Sequence, residues 1–260
     1  MKAIVNINVA DVRSQPDFHS ERTSQALFNE EVDILEVQDD YCRIRSADGH
    51  MGWITGSFVS EYRKHEGQGP FIVSCGLAQA LEEDDANSRR LTSIPYGCIL
   101  YGRISSGFLQ VESERYGAFF VPLSDLSGPG LETQTLIMDT GNLVRETEKF
   151  LGVPYLWGGR SFFGIDCSGF SQVIMKRFGL ALPRDTKDQI SAGREVKREN
   201  IETGDLLFFT RHVAIVISDS LMIHSSLSNG GVAYNSLDPD SKNYSSYLER
   251  SFITARRVSR

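Results

Sequence analysis

Cysteine is scarce: four residues, Cys42, Cys75, Cys98 and Cys167, none spaced as Cys-x-x-Cys. That is too few and too scattered for a disulfide framework in a 260-residue chain, and it suits a reducing compartment. The five histidines form neither His-x-x-x-His nor His-Glu-x-x-His, so no zinc site is legible and neither metal nor other cofactor is implied. Clustered positive charge is missing too. The formal net charge is -7, and only Arg63-Lys64 and Arg89-Arg90 stand out as basic runs, which argues against a nucleic-acid partner. Long apolar runs are absent. Asn6, Asn8 and Asp11 break the first one well short of the roughly 7–15 residues of a secretory leader. No later stretch approaches the about 20 apolar residues of a membrane span, so no membrane partner is expected. A complete chain of this kind is expected in the cytoplasm. Its length suits two or three domains.

What is present at the front is alternation. "EEVDILEV" (residues 30–37) and "DYCRIRS" (40–46) alternate apolar with polar, and "DGHMGWI" supplies a turn and another strand start. "YGCILYGRI", "GFLQVES" and "RYGAFFVP" (96–122) repeat that plan, with Tyr41 matching Phe108 and Gly52-Trp53 matching Gly117-Ala118. The period, roughly 65 residues, is too long for a solenoid unit and indicates two small all-β domains in tandem. Both resemble bacterial SH3-like modules, in which an aromatic opens one strand and a Gly-Trp opens the next. The expected boundaries are 1–63 and 64–128.

"SDLSGPGLETQ" (124–134) reads as a linker, and the period changes after it. A helix is predicted from Leu136 to Leu151, ended by Gly152. A Gly-rich irregular stretch follows, then a helix from about Cys167 with Phe170, Val173, Ile174 and Phe178 on one face. A third helix has Asp185 as its candidate N-cap. From Asp205 onward the pattern is of strands. Residues 135–260 therefore read as an α+β domain.

Cys167 stands at a predicted helix start, where free N–H groups and the helix dipole favour the thiolate, the nucleophilic form. A small buried core thiol is the competing reading. His212 opens the strand "HVAIVIS", and His224 lies in the next, "LMIHSS". If a turn near Asp219-Ser220 makes these a hairpin, the two rings are neighbours. A thiol, a base and a third polar group that orients the base is the recurring set for nucleophilic catalysis. Satisfied core histidines remain the alternative.

The ordered set "PYLWGG…DCSGF…LPRDTKDQ…GDLLFF…HVAIVIS…MIHSS" resembles the NlpC-type cysteine peptidases (the NlpC and P60 family), papain-like enzymes that cut peptides of bacterial cell walls. The resemblance runs from about Leu136 to Arg260. It implies Cys167 as nucleophile, His212 as base, His224 as the residue orienting that base, and Tyr155 as an oxyanion donor beside the Cys167 N–H. Aromatic packing beside Trp157 is the alternative for Tyr155.

A papain-like domain preceded by two SH3-like barrels resembles, more narrowly, enzymes that trim murein peptides. These cut between γ-D-glutamate and the diamino acid and require a free N-terminal L-Ala. The implied partner is a short murein-derived peptide as substrate, and a monomer is expected. That resemblance implies Asp166 as partner of the substrate ammonium, with helix capping as its other reading, and Ser168, Asp185, Thr186 and Trp157 as further binding residues. It also assigns Glu30 an acidic place in the pocket. His50 stands where the family has Tyr, a departure. Competing functions are a secreted hydrolase of intact wall, a decayed non-catalytic binder, and an amidase or acyltransferase on the same core.

Overall fold

The computed structural model describes residues 1–62, 67–131 and 136–259. The expected boundary at 63–64, the Arg63-Lys64 pair and the far end of the 124–134 stretch lie outside them. The chain divides into two compact units, Met1–Thr135 and Leu136–Arg260.

The first unit holds two seven-stranded antiparallel sheets. In one, the strands run in the spatial order Arg22–Leu27, Val9–Arg13, Met51–Thr55, Tyr41–Ser46, Glu31–Gln38, Lys2–Val5, Val59–Glu61. The other is Arg90–Pro95, Leu77–Leu81, Gly117–Pro122, Phe108–Ser113, Ile99–Ser105, Gln68–Val73, Leu126–Ser127. Taken by position along the chain, the two orders are identical, so the repeat read from the sequence is a repeat of topology. The detailed match needs one correction. Tyr41 pairs with Thr55 and Phe108 with Pro122. The two hairpins thus superpose strand for strand, and Gly52-Trp53 falls on Phe119-Phe120, two residues beyond the pair chosen on glycine alone.

Each sheet wraps its own core. Val5, Val12, Ile44 and Ile54 fill the first, and Phe71, Leu100, Phe119 and Val121 the second. Phe28 leaves the first barrel and enters the second core, edge-on to Phe119. The Asn29 amide donates to the Ile99 carbonyl at 2.8 Å. The linker expectation also changes. Leu126 and Ser127 are buried and pair with Val73 and Ile72, so this part of the Ser-rich stretch closes the second barrel.

In the second unit a six-stranded antiparallel sheet runs Arg194–Val196, Phe252–Arg257, Leu206–Phe209, His212–Val216, Met222–Ser226, Gly231–Asn235. The helix Thr140–Glu148 starts at Asp139, whose carboxylate accepts from the Asn142 N–H. Its chain end turns at Gly152, with φ of 79°. The helix Cys167–Arg177 packs on the strands His212–Val216 and Met222–Ser226. It is buried on every side except at Lys176, as a helix held in the middle of a domain must be.

Candidate active site

The Cys167 helix begins where it does because of Asp166. That residue is extended, and its Oδ1 accepts the Gly169 N–H at 2.7 Å, one of the donors a helix start leaves unpaired. Gly169 lies so close to the Gly159 carbonyl that a Cβ there would collide with it. The helix N-terminus is thereby pressed against the Gly-rich segment. Gly158, at φ of 75°, sends its N–H to Asp166 Oδ2 at 2.9 Å.

Asp166 is also the centre of a buried ion pair. Arg184 reaches its two oxygens at 3.0 and 2.6 Å, and Ser168 Oγ lies 3.2 Å from Oδ1. Arg184 further donates to Ser168 Oγ at 2.9 Å. Five donor contacts occupy a carboxylate with about four acceptor sites, and the guanidinium neutralises it. The helix-cap reading of Asp166 accounts for its contacts. A substrate ammonium approaching Asp166 would share that carboxylate with Arg184. Ser168 belongs to the same cluster.

Strand register assembles the imidazoles. Ile215 pairs with Ile223 and Val216 with Met222, so the two histidine strands form the hairpin expected from Asp219-Ser220. Continued, that register sets His212 diagonally from His224 on one face, the contact geometry of adjacent strands. His212 Nε2 lies 2.5 Å from His224 Nδ1. His224 Nε2 lies 2.8 Å from Asn235 Oδ1, on the next strand. Asn235 carries no motif and escapes the sequence reading; only the pairing of His224 with Ala233 brings it diagonally into reach.

Cys167 is buried at the helix start. Its Sγ lies 3.7 Å from Thr186 Oγ1, and the backbone N–H groups of Val213 and Ser168 also point to it. The helix-start argument predicts a lowered thiol pKa. Burial instead pushes the thiol up, with the Asp166 charge adding to the rise, while the hydroxyl and the two N–H groups pull it partly back. Burial also lowers both His212 and His224. Both shifts favour the uncharged forms, thiol and imidazole.

Tyr155 stands near enough that charge on Cys167 and Asp166 opposes its ionisation. Burial is the larger cause, and together they raise its hydroxyl to about 12. It is an O–H donor throughout the working range. Trp157 is 61% exposed. Asp185 precedes the short helix Thr186–Gln189 as expected, yet its carboxylate makes no capping bond. Glu30 and His50 lie in the first unit. Glu30 accepts the Leu27 N–H at 3.0 Å, and His50 Nε2 lies 3.0 Å from Thr23 Oγ1. Among the described residues no group of three or more His, Cys, Asp or Glu side chains could hold a metal ion.

Two neutral buried imidazoles make stability depend on pH. An unfolded histidine gains a proton below about 6.5, whereas the folded ones resist it, so the unfolded state binds more protons there. The histidine contribution is expected to be level near pH 7.5 and to fall as pH drops through 6, by up to about 1.4 kcal/mol per pH unit from His224 alone. Urea unfolding midpoints at pH 7.5, 6 and 5 test this against a His224→Leu variant, whose profile should be flatter over that range; equal slopes would contradict it.

A thiol at the start of a central helix, beside a sheet that carries two histidines in series, defines a papain-like cysteine peptidase. The comparisons agree. The profile of the NlpC/P60 family matches residues 152–257, and that of the bacterial dipeptidyl-peptidase Sh3 domain matches residues 12–57. The γ-D-glutamyl-L-lysine dipeptidyl-peptidase of Bacillus subtilis is 30% identical over 223 residues, 78% of this chain and 71% of that protein. Dipeptidyl-peptidase 6 of Lysinibacillus sphaericus is 28% identical over 262 residues, 92% of each chain. A crystal structure of an NlpC/P60 family protein from Bacillus cereus shares the fold, with a TM-score of 0.84 at 22% identity over 99% of both chains. This chain belongs to the NlpC/P60 family.

Proposed function

We propose that the protein hydrolyses the bond between γ-D-glutamate and a diamino acid, L-Lys or meso-diaminopimelate, in murein peptides with a free N-terminal L-Ala, releasing L-Ala-D-Glu. The observation that carries this reading is the His212–His224 pair on the strands against which the Cys167 helix packs, in a chain whose relatives over most of its length are named dipeptidyl-peptidases. His212 takes the Cys167 proton as sulfur attacks the γ-carbonyl carbon. The Tyr155 hydroxyl and the Cys167 N–H donate to the developing oxyanion. The imidazolium returns its proton to the departing amine of the diamino acid, leaving a thioester. Water, deprotonated by His212, then cleaves the thioester and restores the thiol.

The substrate ammonium needs a counter-charge, and Asp166, whose oxygens already meet five donors, leaves a place for a second carboxylate. Asp185 suits it: partly buried, without a capping bond, and next to Thr186, whose hydroxyl touches the thiol. Trp157 offers an exposed aromatic wall. Acetylating the L-Ala amine should cost about 100-fold in kcat/KM, within the roughly 2–5 kcal/mol lost when a charge loses its buried partner. Mass spectrometry of products from free and N-blocked muropeptides tests this. Equal rates, or release of fragments from intact sacculi, would refute the exopeptidase reading.

A further inference from the structure

A neutral imidazole has one nitrogen that donates and one that accepts, and a general base must present the accepting one. The structure contains enough fixed donors and acceptors to decide which is which. The chain of assignment starts at the Asn243 carbonyl, which can only accept. Asn235 Nδ2 lies 3.1 Å from it and is therefore correctly placed as the donor end of its amide. Asn235 Oδ1 then faces the other way, where it accepts from Asn229 Nδ2 at 2.8 Å and meets His224 Nε2 at 2.8 Å. Turning the amide over would set oxygen against the Asn243 carbonyl and an NH2 group against the Asn229 donor.

An amide oxygen has no proton to give, so His224 Nε2 must carry one. Neutral His224 then has a lone pair on Nδ1, the atom 2.5 Å from His212 Nε2. His212 Nε2 must supply the hydrogen for that contact. Its remaining nitrogen, Nδ1, is left without a proton and is the only one able to take the Cys167 proton. We propose that Asn235 is a positioning residue that, through the His224 ring, holds His212 in the Nε2–H form and so sets Nδ1 as the base. Asn229 and the Asn243 carbonyl fix Asn235 in turn.

The proposal explains why a neutral amide suits this place. On receiving the thiol proton, His212 becomes a double donor and keeps its bond to His224 Nδ1. The hydrogen-bond direction never reverses during the cycle, so the base returns to its starting form without a ring flip.

This inference rests on the reading of Cys167 and His212 as nucleophile and base, and its test separates the two. In the 15N-histidine-labelled full-length protein, with signals assigned by single His substitutions, His224 should show a protonated Nε2 and a bare Nδ1. A His224 protonated on Nδ1 would overturn the proposal whatever the activity. In Asn235→Leu, kcat should drop by roughly 100-fold, the low end of a general base's contribution, with KM within about twofold. Its His224 signals should shift toward a mixture of forms. Asn235→Asp, which still accepts from Nε2–H, should recover part of that kcat. Wild-type kcat in Asn235→Leu, or no recovery in Asn235→Asp while the fold holds, would also overturn it. Unchanged turnover in a Cys167→Ala variant would remove the peptidase reading alone, because the nitrogen signals report the tautomer independently of turnover.

Discussion

Cys167→Ala should abolish hydrolysis of L-Ala-γ-D-Glu-diamino acid peptides, a fall on the order of 10⁶-fold in kcat. Sulfur supplies the electron pair for the attack, and no neighbouring group can replace it. Thr186 Oγ1 is 3.7 Å from Sγ but has no base of its own among its contacts. The variant should fold and bind substrate normally. The side chain lost is small, and the helix start is held by Asp166 rather than by the thiol. Single-turnover assays and thermal unfolding, run together, check both halves. Residual turnover near wild type would show that Cys167 is a core residue and that the two histidines act on something else.

The second large effect is on folding. Arg184→Met should destabilise the protein by about 3–5 kcal/mol, because it leaves the Asp166 carboxylate buried without its counter-charge. Both side chains are nearly inaccessible, with 2% and 8% of their surface exposed, so water cannot take over. The double change Arg184→Met with Asp166→Asn should be less damaging than the first alone, since the amide keeps an acceptor for the helix cap and no longer carries charge. Urea denaturation of the wild type, Arg184→Met, Asp166→Asn and the double variant gives the comparison. A double variant as unstable as the sum of the singles would mean that packing, not charge, is what Arg184 provides.

These cases indicate which features the chain makes legible. The start of the Cys167 helix is a local matter: an Asp, then small residues, then apolar positions on one face. Each of these acts within a few residues, so pattern alone finds them. The hairpin of His212 and His224 is nearly local and is legible for the same reason. Other features depend on distant partners. The strand Arg194–Val196 is short and largely polar, and it exists because Arg257, Arg256 and Ala255 pair with it from the far end of the domain. Asp185 sits at a helix start as its residue type suggests, yet no bond forms, because capping needs a side-chain orientation that sequence does not encode. The thiol's environment shows the same division. Helix position argues for a low pKa, but burial by strands 45 or more residues away raises it. Asn235 is the extreme case. It looks like an ordinary polar residue at a strand end until the register of two other strands is known.

The neutral thiol has a further consequence for the chemistry of damage. Peroxide and alkylating agents attack the thiolate, and their rates follow its abundance and access. A buried sulfur whose surroundings favour the protonated form offers them less of either between turnovers. Reactivity would then arise when a peptide fills the cleft and the proton moves to His212, so the moment of vulnerability coincides with the moment of use.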